Sequence, residues 1–324
     1  MKGVLIILTA TILTACAFPW DGTHTPPLDA RPIMWRGKPG QVSAPQIDPR
    51  PPFRFVAENM YGDSPKFTVT DAAGVEWQAK LGPEAQAETA ATRILDAAGY
   101  YVENVRHLIT APVHGIPRLK RGQEFVDADG TVHGVRFKAR SDERRAPWAF
   151  DDNPFVGSPE LDGLKVLMVL INNYDARTEN NQVLIANEAG QREARYLVSD
   201  LGASFGRYGG LGGNRTKNDL EGYRASRFIA SNDGLTVQFA YRTRPEGLGL
   251  TMFVLNPFYT AGELKKQRDV STVPLRAVQW IAQQLMTIDD RTLLDAFAAA
   301  HYDTGTAAEF AHVVRSRIQE LAKL

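Results

Sequence analysis

The 324-residue chain reads as an α+β protein of two lobes, a small β-rich N-terminal lobe carrying one helix and a larger, mainly helical C-terminal lobe. Three observations predict this. From Phe53 the segments "FRFVAENM", "KFTVTD" and "VEWQAKL" alternate apolar and polar residues with the period of half-buried strands. One helix-period segment, "GPEAQAETAATRILDAAGYY", follows them. Roughly the last fifty residues hold three more such segments in succession. Composition agrees: 44% hydrophobic residues with 37 basic against 37 acidic side chains is ordinary globular chemistry. Zero net charge supplies no global field toward nucleic acid, and none is expected as a partner.

The chain opens "MKGVLIILTATILTACAFPW". Lys2 precedes an apolar run from Val4 to Leu13, shorter than the roughly 20 residues that span a bilayer but suited to a signal-peptide core. The run closes on Leu13-Thr14-Ala15-Cys16, which resembles the bacterial lipobox. That resemblance implies a signal peptide over residues 1–15, a lipid anchor on Cys16, and an outer-membrane lipoprotein facing the periplasm, since Ala17 rather than Asp follows the cysteine. An ordinary signal peptide with an incidental cysteine is the alternative. Cys16 is the only cysteine, so no intrachain disulfide can form. Between residues 18 and 53 stand nine of the nineteen prolines, which predicts neither helix nor ladder there. Residues 16–52 are therefore expected to form a tether of up to roughly 100 Å in extended geometry.

The N-lobe is expected over residues 53–150. "DAAG" is a turn between the second and third strands; Pro83 suits the first turn of the helix and Gly99 its end. Ala87, Ala91, Ile94, Leu95 and Ala98 recur on one face of that helix, and further strands are expected near "YVENVRHLITA" and "QEFVDADGTVHGVRFKA". The C-lobe is expected over residues 151–324. Its first apolar run, "LKVLMVLINN", is a buried helix or a strand; "RYLVSD" is a strand. "STVPLRAVQWIAQQLM" places Leu275, Val278, Ile281, Ala282 and Leu285 on one helical face. "RTLLDAFAAA" and "TAAEFAHVVRSRIQEL" follow, the latter with a Thr306/Glu309 capping box.

Chemistry concentrates where the first apolar run surfaces, in "INNYDARTENNQVL". Asp175 and Asn180 stand five apart, and "VSDLGASFG" brings Asp200-Leu201-Gly202 twenty residues later. Upstream, Lys80 ends the strand "VEWQAK", with Glu84 and Glu88 on the helix that follows. In this order the set resembles the protein-kinase-like fold, atypical bacterial toxin kinases and secretory-pathway kinases more than ordinary protein kinases. The resemblance implies phosphoryl transfer, in which the protein supplies positioning and charge neutralisation. Lys80 would contact the phosphates of ATP as donor, braced by Glu88 in preference to Glu84. Asp175 would orient the acceptor hydroxyl. Arg177 would reach the transferred phosphate, and Asn180 and Asp200 would hold Mg²⁺ through oxygen. Asn173-Tyr174 replaces the usual His-Arg, and Leu201 replaces Phe. No G-x-G-x-x-G precedes Lys80; the nearest phosphate cover is "YGDSPK", Tyr61 to Lys66.

The glycine-rich stretch after Asp200 lacks the Gly-Lys-Ser/Thr of a P-loop and fits an activation segment, where Arg207, Arg215 and Lys217 either meet an anionic substrate or are solvated. The six histidines show no zinc spacing. Three functions stand: an envelope-tethered phosphotransferase acting on an unknown acceptor, a catalytically silent kinase-like binding module, and a structural envelope lipoprotein. The periplasm is not expected to hold ATP, which weighs against the first. The joint presence of Lys80, Asp175, Asn180 and Asp200 weighs against the second.

Overall fold

The computed structural model describes residues 29–41, 47–140, 144–145, 147–176, 178–207, 216–242, 264–265 and 267–324. Cys16, Arg177 and Arg215 lie outside the described residues. The fold is mixed α+β, β-rich in its N-terminal half and more helical toward the C-terminus.

A short strand β1 (Arg31–Ile33) comes first. The strands β2 (Phe53–Asn59), β3 (Lys66–Thr70), β4 (Glu76–Lys80), β5 (Val105–His114) and β6 (Thr131–Ala139) then close a barrel in the order β2-β3-β4-β6-β5. Strand alternation turns Phe67, Val69, Trp77, Ala79, Val135 and Phe137 into the barrel, where all are buried. Helix α1 (Pro83–Ala97) leaves β4 through Gly82, whose positive φ of 80° turns the chain straight into the helix, with proline in its first turn. The alanine-rich face of α1 belongs to the large core of the C-terminal half.

That half begins with the strand β7 (Arg144–Arg145) and the helix α2 (Pro159–Leu170), capped by Ser158, whose hydroxyl accepts from the Leu161 amide. The ambiguous run is thus helical. Leu164, Val166, Leu167, Met168, Val169 and Leu170 are all buried, so no polar stripe marks a period. The hairpin β8 (Asn181–Glu188) and β9 (Gln191–Val198) joins β1 and β7 in a four-stranded sheet of order β1-β9-β8-β7. A short helix α3 (Leu220–Ala225) and a second sheet of β10 (Ile229–Asn232), β11 (Thr236–Phe239) and β12 (Thr272–Pro274) follow. Helices α4 (Leu275–Met286), α5 (Asp290–Ala298) and α6 (Thr304–Leu321) complete the chain.

Two expectations need correction. The proline-rich segment does enter a ladder: β1 pairs in parallel with β9, Arg31 opposite Glu193 and Ile33 opposite Arg195. Pro32 is tolerated there because this is an edge strand of three residues. And α6 starts before the expected capping box; its cap is Asp303, whose carboxylate accepts from the Thr306 amide at 3.0 Å.

Candidate functional site

Lys80 is the last residue of β4, and α1 begins three positions later. Glu84 and Glu88, one helical turn apart, therefore share the face of α1 that looks back at the strand. The lysine is bound by both: its Nζ lies 3.0 Å from Glu84 Oε2 and 2.8 Å from Glu88 Oε2. The preference for Glu88 thus describes half of the arrangement. A third carboxylate arrives from the end of β9, Asp200 Oδ1 at 3.0 Å.

Burial alone would push the Lys80 pKa down, but the carboxylates of Glu88, Asp200 and Glu84 outweigh it and hold it above the ordinary lysine value. The same pairing works in reverse on the acids. Burial raises Glu84, yet Lys80 and Lys217 bring its pKa down to about 2. Asp200 is likewise drawn well below its ordinary value against the cost of burial, by Lys80 first and Lys138 next.

The hairpin and the loop before it carry the other residues. Asn181 pairs with Val198 across β8–β9, and the Ser199 amide donates to the Asn180 carbonyl at 2.7 Å, so Asn180 and Asp200 emerge side by side at one end of the ladder. The loop after α2 is stitched to the segment after Asp200. The Phe205 amide donates to the Ile171 carbonyl at 2.9 Å, and Asn172 Nδ2 donates to the Gly206 carbonyl at 2.6 Å. Within the loop, Asn173 Oδ1 accepts from the Asp175 amide at 2.9 Å. Asn180 Nδ2 donates to the Asp175 carbonyl at 2.8 Å and to its Oδ2 at 3.1 Å. This holds Asp175 beside Asn180 and leaves the amide Oδ1 as the acceptor end of Asn180.

The donor chemistry fits a hard cation. Asp200 offers a carboxylate and Asn180 an amide oxygen; Mg²⁺ takes one or two such ligands and completes its shell with water and phosphate oxygens. Among the described residues no group of three or more His, Cys, Asp and Glu side chains is placed to hold a metal by itself.

Several residues of this site were not anticipated. Arg136 of β6 is fully buried and donates from Nη2 to Glu88 Oε2 at 2.8 Å, so two cations share one carboxylate oxygen. Lys138 reaches Glu103 at 2.9 Å and the Ser199 carbonyl at 3.3 Å. Lys217 pairs with Glu84 rather than standing free for a substrate. The register carried the signal: Arg136 lies directly opposite Lys80 and Lys138 opposite Gln78, on the same outer face of the barrel.

No protein-family model matches this sequence, and no curated protein matches it. Among solved structures, the Helicobacter pylori proinflammatory kinase CtkA matches with 10% sequence identity, 80% of this chain and 93% of that chain covered, and a TM-score of 0.41. This is a distant structural resemblance to a bacterial kinase-like protein.

Proposed function

We propose that this chain is a kinase-like phosphotransferase that moves a phosphoryl group from a Mg-nucleotide, ATP in the first instance, to an acceptor hydroxyl. One observation carries the reading: the buried Lys80, ion-paired to Glu84, Glu88 and Asp200, lies at the end of the β8–β9 ladder where Asn180 and Asp175 are hydrogen-bonded together. The Mg-nucleotide, when bound, supplies the transferable phosphoryl group. Lys80 anchors its phosphates, with Glu84 and Glu88 fixing the ammonium. Asp200 and Asn180 supply oxygen ligands to the cation, and Asp175 orients the acceptor hydroxyl and takes its proton. Arg177 is proposed to meet the transferred phosphate. We also propose that Cys16 is lipidated and holds the protein to the periplasmic side of the outer membrane.

The test is transfer of radiolabelled phosphate from ATP to the protein itself and to an envelope extract. Wild type is expected to transfer label in a Mg²⁺-dependent way, and Asp175→Asn is expected to cut the rate by about 10²–10⁴, the usual worth of a positioned acid–base group. Transfer undiminished in Asp175→Asn would remove that residue from the chemistry.

A further inference from the structure

Three carboxylates already surround Lys80, whereas its neighbour in the ladder has none. Lys66 opens β3 directly opposite Lys80 of β4, so both side chains leave the same outer face of the barrel. Arg136 and His107 continue that row on β6 and β5, which sets four basic side chains abreast. Arg136 is taken by Glu88 and Lys80 by Glu84, Glu88 and Asp200. Lys66, half-buried, makes no ion pair among the described residues; its Nζ lies over the Tyr61 ring, 5.8 Å from the centroid. Burial first, and then the Lys80 cation, pull its pKa below the ordinary lysine value, while Asp200 acts in the opposite sense; its ammonium is thus within the electrostatic field of the site.

The turn that leads into Lys66 is held from behind. Arg121 donates from Nη2 to the Asn59 carbonyl at 2.8 Å and from Nη1 to the Gly62 carbonyl at 2.5 Å. The Glu58 carboxylate accepts from the backbone amides of Lys120 and Arg121, each at 3.0 Å. The turn that spans Met60 to Pro65 is thereby fixed without a glycine-rich sequence, and Lys66 is the charged residue at its exit.

We propose that Lys66 is a phosphate-contacting residue of this site and that, with the turn clamped by Arg121, it takes the place of a glycine-rich loop, making the ligand a nucleoside di- or triphosphate gripped by its phosphate chain. The inference rests on the phosphotransferase reading above. Its physical basis is asymmetry: an incoming phosphate must exchange a carboxylate to reach Lys80, but at Lys66 it meets a partly desolvated cation that has only the Tyr61 ring and no carboxylate among the described residues.

Titration calorimetry of Mg-ATP and Mg-ADP into the full-length protein tests this with Lys66→Met and Lys66→Arg. Loss of one charge-assisted contact is expected to weaken both nucleotides by about 10- to 100-fold in Lys66→Met, with an unchanged melting temperature of the ligand-free protein. Lys66→Arg is expected to keep affinity within about threefold, because a cation remains. Equal affinity of Lys66→Met and wild type overturns the role of Lys66 and leaves the phosphotransferase reading standing. A weakened affinity accompanied by a lowered melting temperature, and not restored by arginine, overturns it as well, since the residue is then structural. Absence of nucleotide binding by wild type overturns both.

Discussion

Glu88 Oε2 accepts from two cations at once, Lys80 Nζ and Arg136 Nη2, each at 2.8 Å, in a place none of the three shares with bulk water. Such a set survives burial because every charge has a partner; deleting one leaves another stranded, at a cost of about 3–5 kcal/mol. His107 stands on the same row as an uncharged member. Its Nδ1 lies 3.1 Å from Nδ1 of His301, and burial, then that second imidazole, push its pKa from 6.5 down to about 4. The unfolded chain therefore binds a proton near pH 6.5 that the folded protein refuses until about pH 4. Stability is expected to fall as the pH drops through that window, by at most about 3 kcal/mol from this residue. Glu84, with its pKa brought from 4.5 down to about 2, loses its contribution in the lower window between those values. Urea unfolding at a series of pH values checks this: His107→Gln should flatten the upper-window loss, and a slope equal to that of wild type would contradict it. A Lys80–glutamate contact was expected from the resemblance, with Glu88 preferred; Glu84 joins it because the helix starts three residues after Lys80 and puts both glutamates on one face. Arg136 and His107 were not legible in the sequence, because an alternating strand presents such residues as solvent-facing. Their burial comes from α1 laid over the outer face of the barrel, a contact no local pattern records.

Among the elements, β1 departs furthest from its sequence. Three residues with a proline at their centre carry no strand period, and their partner β9 lies about 160 positions away. What docks the segment is side-chain burial. Met34 is buried in the large core, Trp35 Nε1 donates to the Ala98 carbonyl at 2.9 Å, and the Trp35 ring meets Trp280 edge-on at 5.0 Å. Met34→Ala is expected to destabilise the protein by about 2–5 kcal/mol, the cost of a buried large-to-small change. A denaturation midpoint unchanged by that substitution would mean the segment is a free tether. Helix α2 was ambiguous for the opposite reason, being apolar on nearly every face. Its end is nonetheless well defined: Arg317 of α6 donates to the Leu170 carbonyl at 2.9 Å while its guanidinium lies over the Tyr223 ring at 4.0 Å. That contact fixes the point from which the loop to Asp175 departs. The three helical segments of the C-terminus were legible because each has one polar face; the small β10–β12 sheet that precedes them was not, its strands being only three or four residues long.

At the scale of the molecule, α1 joins the two halves. One side of it offers Glu84 and Glu88 to the barrel lysine, and the other packs its alanines into the core that also holds α2, α4, α5 and α6. A change at the α1–barrel contact is thus felt at Asp200, which shares Lys80. Among the described residues no helix is long and apolar enough to cross a membrane. The proposed attachment through Cys16 is checked by metabolic labelling with a fatty-acid analogue: Cys16→Ser should lose the label, and label retained by that variant would contradict the anchor. In the proposed site, Lys80, Asp175, Asn180 and Asp200 together take one Mg-nucleotide, with Asp200 serving the metal and Asp175 the acceptor. Calorimetric titration of ATP with and without Mg²⁺ into wild type, Asp200→Ala and Asp175→Asn tests this assignment. Mg²⁺-dependent binding should be present in wild type, nearly intact in Asp175→Asn, and weakened at least tenfold, about 1.4 kcal/mol, in Asp200→Ala. Failure of wild type to bind ATP with Mg²⁺ at millimolar concentration, or equal binding by Asp200→Ala and wild type, would contradict it.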